Sequence, residues 1–221
     1  MTGAGPAARE RILQATYDCV ARWGLAKTTV ADAAREAGLS RATVYRYFPG
    51  GRKELVDAVV AWEYTRFFAR LYEEVHAAES LEEVMERGLL FAHRAIAEHE
   101  LLQRLLETEP EVLLPSLTVE GERTQALISA FLVPYVSRHR LAPGVGVEEA
   151  ADFLGRMVFS YIASSGRWAL DDPAQVARLV RAELLAGIVH PDDRGAEGGR
   201  DPGRRGMGRG GAGTGPGARI G

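Results

Sequence analysis

Between positions 40 and 47 the chain reads SRATVYRY, and most of those side chains could act together on one partner. Their chemistry would be hydrogen bonding rather than bond breaking. A helix that only packs would carry more aliphatics. Here Val44 and Phe48, four apart, can turn inward together and leave the remaining positions outward or at the edge. Arg41 stands at the helix front, where a guanidinium can donate to O6 and N7 of guanine in a major groove. Ala42 and Thr43 could touch a thymine methyl, and Tyr47, with the hydroxyls of Thr28 and Ser40, could donate to phosphate oxygens. Thr29, Tyr45 and Arg46 complete the candidate surface. Arg52 and Lys53 open the next helix, where cations and unpaired backbone amides both favour a phosphate; either could make that contact.

Short helices must hold these groups. A first helix over about 7–23 aligns Ile12, Thr16, Cys19, Val20 and Trp23 on one stripe and stops at Gly24. A second, about 28–37 with Thr28 as its cap, buries only small residues: Val30, Ala33, Ala34 and Ala37. Gly38 permits a sharp turn, Leu39 can fill the angle, and Ser40 opens the third helix. Helix, glycine turn and short polar helix form the helix-turn-helix pattern. Further on, helical periodicity continues over about 52–77 and from Ser80, with Glu83 as its capping partner, to about His99. A short apolar piece covers 101–106, and a helix lies between Pro115 and Pro134, with a kink or break expected at Pro134. Two amphipathic helices follow over 147–170 and 172–189, the latter with Asp172 as cap and Pro173 in its first turn. Alternating β-branched runs are absent, so the expected fold class is all-α.

Composition bounds the function. The 221 residues are 46% hydrophobic, enough for a packed core, and no run of 18 apolar residues suggests a membrane span. The start, MTGAGPAARERI, has no apolar signal core, so a cytoplasmic location is expected. A single cysteine, Cys19, excludes an intrachain disulfide, and the five histidines show no metal-ligand spacing, so neither metal nor cofactor is expected. There is no phosphate-binding glycine loop after a strand, nucleophile elbow or Cys/His pairing, so no enzyme is expected. The net charge of −3 hides an asymmetry: residues 1–55 hold nine Lys/Arg against five Asp/Glu, and residues 56–190 hold twelve against twenty-one. A basic front on an acidic body suits a polyanionic partner for the front. Residues 191–221 carry twelve of the 25 glycines and almost nothing apolar, and are expected to be a disordered Gly/Arg-rich tail.

The stretch RILQATYDCVARWGLAKTTVADAAREAGLSRATVYRYFPGGRKELV resembles the DNA-binding domain of the tetracycline-repressor (TetR) family. The matching positions are Thr28, Thr29, Ala37, Gly38, Thr43, Val44, Tyr45, Phe48, then Arg52 or Lys53, Glu54 and Leu55; FPGGRKEL holds one residue more than the usual form. The resemblance implies a DNA-binding domain over 1–55 and, over 56–190, a helical domain for a small effector and for dimerisation. It implies a homodimer on a palindromic double-stranded operator, most simply a repressor released by a small, apolar molecule. Phe67, Phe91, His93, Phe131, Met157 and Tyr161 are the candidates for an effector cavity. Phe153, Leu154, Val158 and Ile162, with Val176, Leu179, Val180 and Leu184, are the candidates for a dimer interface. An activator with the same fold, or a helical small-molecule-binding or interaction protein without specific DNA binding, are the alternatives.

Overall fold

The computed structural model describes residues 5–111 and 121–190, and among them the chain forms nine α-helices. Pro115 and the glycine-rich tail lie outside the described residues. The helices are α1 (Gly5–Trp23), α2 (Val30–Glu36), α3 (Arg41–Tyr47), α4 (Gly51–Val75), α5 (Leu81–Ala97), α6 (Glu100–Thr108), α7 (Gly121–Val136), α8 (Val147–Ala163) and α9 (Pro173–Leu179). A π-helical turn, Val180–Leu184, continues α9.

The expected caps are mostly where the sequence put them. Ser40 accepts from the Thr43 amide at 3.1 Å, Ser80 from Glu83 at 3.1 Å, and Asp172 from Ala174 at 2.9 Å. At α2 the cap is Thr29, not Thr28. Thr29 and Asp32 form a reciprocal capping box, whereas Thr28 is buried and donates its hydroxyl to the Gly24 carbonyl at 2.8 Å.

Three expected elements end differently. No break occurs at Pro134; α7 runs on to Val136. Proline sits in the last turn, so its missing N–H deprives only the carbonyl of the exposed Ala130 four residues back, which water can satisfy. The helix beginning at 147 stops at Ala163, because Ser164 is extended and Gly166 turns the chain at φ +59°. The final helix keeps α geometry only to Leu179 before the π turn. The chain then returns to the α7–α8 connection, where His190 donates its amide to Arg140 at 2.9 Å and Ile188 accepts from Ala142 at 2.9 Å.

Buried side chains separate into two cores. Ile12, Leu13, Val30, Ala33, Ala34, Val44 and Phe48 form a small one among α1, α2 and α3. The larger runs from Leu71 through α5, α7, α8 and α9 to Val189. Helix α4 belongs to both: Leu55 and Val59 enter the first, Leu71 and Val75 the second. Head and body are therefore joined by one continuous helix.

Candidate nucleic-acid interface

The head is built so that α3 presents its polar side outward. Ala33 and Ala34 have no side-chain bulk, so α3 can approach α2 closely, and both are buried. Gly38 adopts φ +63°, and the next amide, of Leu39, returns to the Ala34 carbonyl at 2.9 Å. Val44 and Phe48 turn inward, fully buried, as their spacing requires. Ser40, Arg41, Ala42, Tyr45 and Arg46 are exposed, and Thr43 and Tyr47 are half-buried. Tyr45, the most open aromatic on this helix at 49% exposure, lies against Gly51. The Arg46 guanidinium sits 5.4 Å from the centre of the Tyr47 ring, which itself packs on the head core.

The residues around this helix divide between holding the head and facing outward. Arg52 lies along the α1–α2 turn: its Nε donates to the Thr28 carbonyl at 2.9 Å and its Nη2 to the Leu25 carbonyl at 2.6 Å. Lys53 stands on the surface, pairing with Asp57 at 2.7 Å. Of the two cations at the start of α4, Arg52 thus clamps the α1–α2 turn and Lys53 pairs along its own helix, and both remain exposed. Thr28 does not offer its hydroxyl proton to a phosphate, because that proton is engaged by Gly24. Thr29 is exposed and donates to Asp32 at 2.6 Å; that hydrogen bond, with Arg35 beside it, holds the Asp32 carboxyl below its ordinary value. Two cations escaped the sequence reading. Arg9 reaches from α1 to within 5.4 Å of the Phe48 ring, and Lys27 is exposed on the turn before Thr28. A helical projection of α1 would have placed Arg9 on the edge of its buried stripe.

Among the described residues, three of the effector candidates, Phe67, Phe91 and Phe131, belong to one packed aromatic cluster. Phe67, Phe68, Phe91, Phe131 and Tyr135 form a ladder of touching rings with centroids 5.4–5.6 Å apart. Met157 is half-buried against the same core. Tyr161 spends its hydroxyl on Glu183, which also pairs with Arg167 at 2.6 Å; burial and that hydrogen bond push the phenol up to about 12. Two clefts open among the described residues, and of the candidates only His93 lines them. One of 270 Å³ is bounded by His93, Ile96, Ala97, Gln103 and Ile162. Its neighbour of 400 Å³ adds Arg94, Glu98 and Asp171 among its lining residues.

The dimer candidates also divide. Leu154, Val176, Leu179, Val180 and Leu184 are wholly buried in the chain's own core and have no surface to offer a second copy. Phe153 is 39% exposed, and Val158 and Ile162 are half-buried.

Residues 12–59 match the family model described as "Bacterial regulatory proteins, tetR family". The nucleoid occlusion factor SlmA of Marinobacter nauticus is 30% identical over 164 residues, spanning 72% of this chain and 83% of that protein. An uncharacterised HTH-type transcriptional regulator of Mycobacterium bovis, Mb2274c, is 29% identical over 99 residues, 45% of this chain and 50% of that one. Among solved structures, Salmonella enterica GusR superposes with a TM-score of 0.56 at 19% identity, covering 84% of this chain and 97% of that chain. The fatty acid degradation regulator FadR from Bacillus halodurans gives 0.52 at 16%, covering 83% and 98%. These two show the same arrangement of a helix-turn-helix head on a helical body. With its head matched by the family model and most of its length aligned to a full relative, the chain is a member of the tetR family of bacterial transcriptional regulators.

Proposed function

We propose that this protein is an effector-responsive repressor that binds a palindromic operator as a homodimer. The observation that supports it best is the outward face of α3. Arg41, Ala42, Tyr45 and Arg46 are exposed on a helix whose other side is locked into the head by Val44 and Phe48. Such a rigid, cation-bearing helix fits a major groove, with Arg41 reading a base and Lys53 and Tyr47 meeting phosphates. One seven-residue helix reads few base pairs, and pairing through the exposed Phe153 of α8 would double the site. The effector would enter the clefts beside His93. Their lining mixes apolar Ile96, Ile162 and Leu170 with Gln103, Arg94 and Asp171, which favours a ligand with polar groups over a purely apolar one.

The test is selection of duplex DNA from a random pool by the purified protein at a stated salt concentration. Enrichment of one palindrome supports the reading and gives the half-site spacing. Binding that tracks salt alone, with no enriched sequence, overturns it.

A second reading is favoured by the relative aligned over 83% of its length, a nucleoid occlusion factor. On that reading the bound DNA marks where the nucleoid lies rather than which genes are read. Mapping of the bound sites in cells separates the two: clustering upstream of a few genes supports the repressor, and dispersal supports the occlusion factor.

A further inference from the structure

The two clefts beside His93 share a wall and differ in chemistry. His93 and Ala97, one turn apart on α5, line both. On one side lies the 270 Å³ cleft, walled in part by Ile96 and Ile162. Its one amide side chain, Gln103, already donates its nitrogen to the Ile96 carbonyl at 2.8 Å. On the other side lies the 400 Å³ cleft, and all the charged lining residues belong to it. At the boundary Ala97 offers only a methyl group.

The charges of the larger cleft do not cancel. Its lining holds one cation, Arg94, against two carboxylates, Glu98 and Asp171. Arg94 is also committed to a third carboxylate, pairing with Glu74 of α4 at 3.4 Å. Among the described residues neither Glu98 nor Asp171 forms an ion pair, and both are exposed, so the mouth of the cleft carries surplus negative charge. The rest of the body adds to it, with twelve Lys/Arg against twenty-one Asp/Glu over 56–190.

Two helix ends meet at this cleft, and together they keep the same sign. Helix α5, 17 residues long, ends here, and the negative pole of a helix favours a cation beside its last turn. The basic residue of that turn is Arg94, already drawn to Glu74. Helix α9 begins here with Pro173, and its positive pole would favour an anion. The chain answers that pole itself. Asp172 accepts from the Ala174 amide at 2.9 Å, and this hydrogen bond holds the Asp172 carboxyl below its ordinary value.

We propose that the two clefts form one divided site for an organic cation: an ammonium group meets Glu98 and Asp171, and its apolar chain lies past Ala97 and His93 against Ile96 and Ile162. An anion of the same length would gain the same apolar contacts but meet two like charges at the mouth, so the site selects by sign as well as by length. The inference rests on the effector reading above and names the class of molecule that the site takes.

The experiment is calorimetric titration of the full chain, without DNA, by butylammonium, octylammonium and octanoate. Octylammonium should bind saturably, and more tightly than butylammonium because its longer chain buries more apolar surface in the smaller cleft. It should also bind more tightly than octanoate. The double substitution Glu98→Gln, Asp171→Asn should weaken octylammonium by about fivefold, the worth of two solvent-facing ion pairs, and leave octanoate no weaker. Ala97→Leu fills the boundary between the clefts and should remove the advantage of the longer chain. Octanoate binding as tightly as octylammonium, an amine affinity unchanged by the double substitution, or no saturable amine binding overturns the proposal. Repeating the octylammonium titration on the complex with the selected duplex keeps the two readings apart. An amine that binds as expected but leaves duplex affinity unchanged supports the cleft assignment and overturns the effector role. Equal melting temperatures for the wild type and both variants show that the differences are not partial unfolding.

Discussion

Arg41 and Lys53 are both exposed cations of the head, but they should fail differently when removed. Arg41→Ala should weaken operator binding by about 1–3 kcal/mol and relax selectivity at one base position, checked by competition against single-base variants. Lys53→Ala should weaken all sequences alike and reduce the slope of log affinity against log salt by about 1. Arg52, next in the chain, belongs to stability instead. Arg52→Ala leaves the Thr28 and Leu25 carbonyls without their guanidinium partner and should lower the stability of the head by about 1 kcal/mol, discounted for partial exposure. Tyr161 gives a pH signature. Its neutral phenol is favoured in the fold, so its contribution is complete below the ordinary value of 10.0 and disappears as pH climbs toward about 12. Thermal melts across that window should show an alkaline loss of stability that is smaller in Tyr161→Phe.

At the scale of elements, the tightest joint of the body is the crossing of α7 and α8. A Cβ on Gly155 would overlap the Ser129 hydroxyl and lie 3.0 Å from the Ser129 backbone nitrogen, tighter than nearly all real contacts. Backbone cannot retreat as a flexible side chain can, so Gly155→Ala should destabilise the body by about 1–3 kcal/mol, read as a shift in urea midpoint. The elements also show where a one-dimensional reading fails. Caps and glycine stops are local signals, and Ser40, Ser80, Asp172 and Gly38 act as their residue types suggest. The end of α8 at Ala163 had such a signal in Gly166, hidden in an otherwise amphipathic pattern, whereas the π turn after Leu179 followed none. Pro134 is the reverse case, a strong local signal that does not end the helix because the exposed proline falls in its last turn.

For the whole molecule, the question is how much of α8 remains for a second copy. With Leu154 wholly buried, Phe153 is the largest open apolar group on that helix. Phe153→Glu should convert a dimer into a monomer in sedimentation experiments and sharply weaken binding to a palindrome, while binding to an isolated half-site is retained. A variant that remains dimeric places the interface elsewhere.

The sequence by itself determined the all-helical class, the helix-turn-helix, and the outward set on α3, because periodicity, caps and glycine turns are encoded within a few residues of one another. It could not separate core from interface in the last two helices, since an apolar side chain looks the same whether it meets its own chain or another. Nor could it separate a cavity from a filled core: Phe67, Phe91 and Phe131 are equally apolar lining or packing, and only their ring-to-ring contacts show that they pack. The role of Arg52 was decided by tertiary structure alone. It acts on backbone groups of a turn distant in sequence, and backbone carbonyls carry no residue identity for a motif to display.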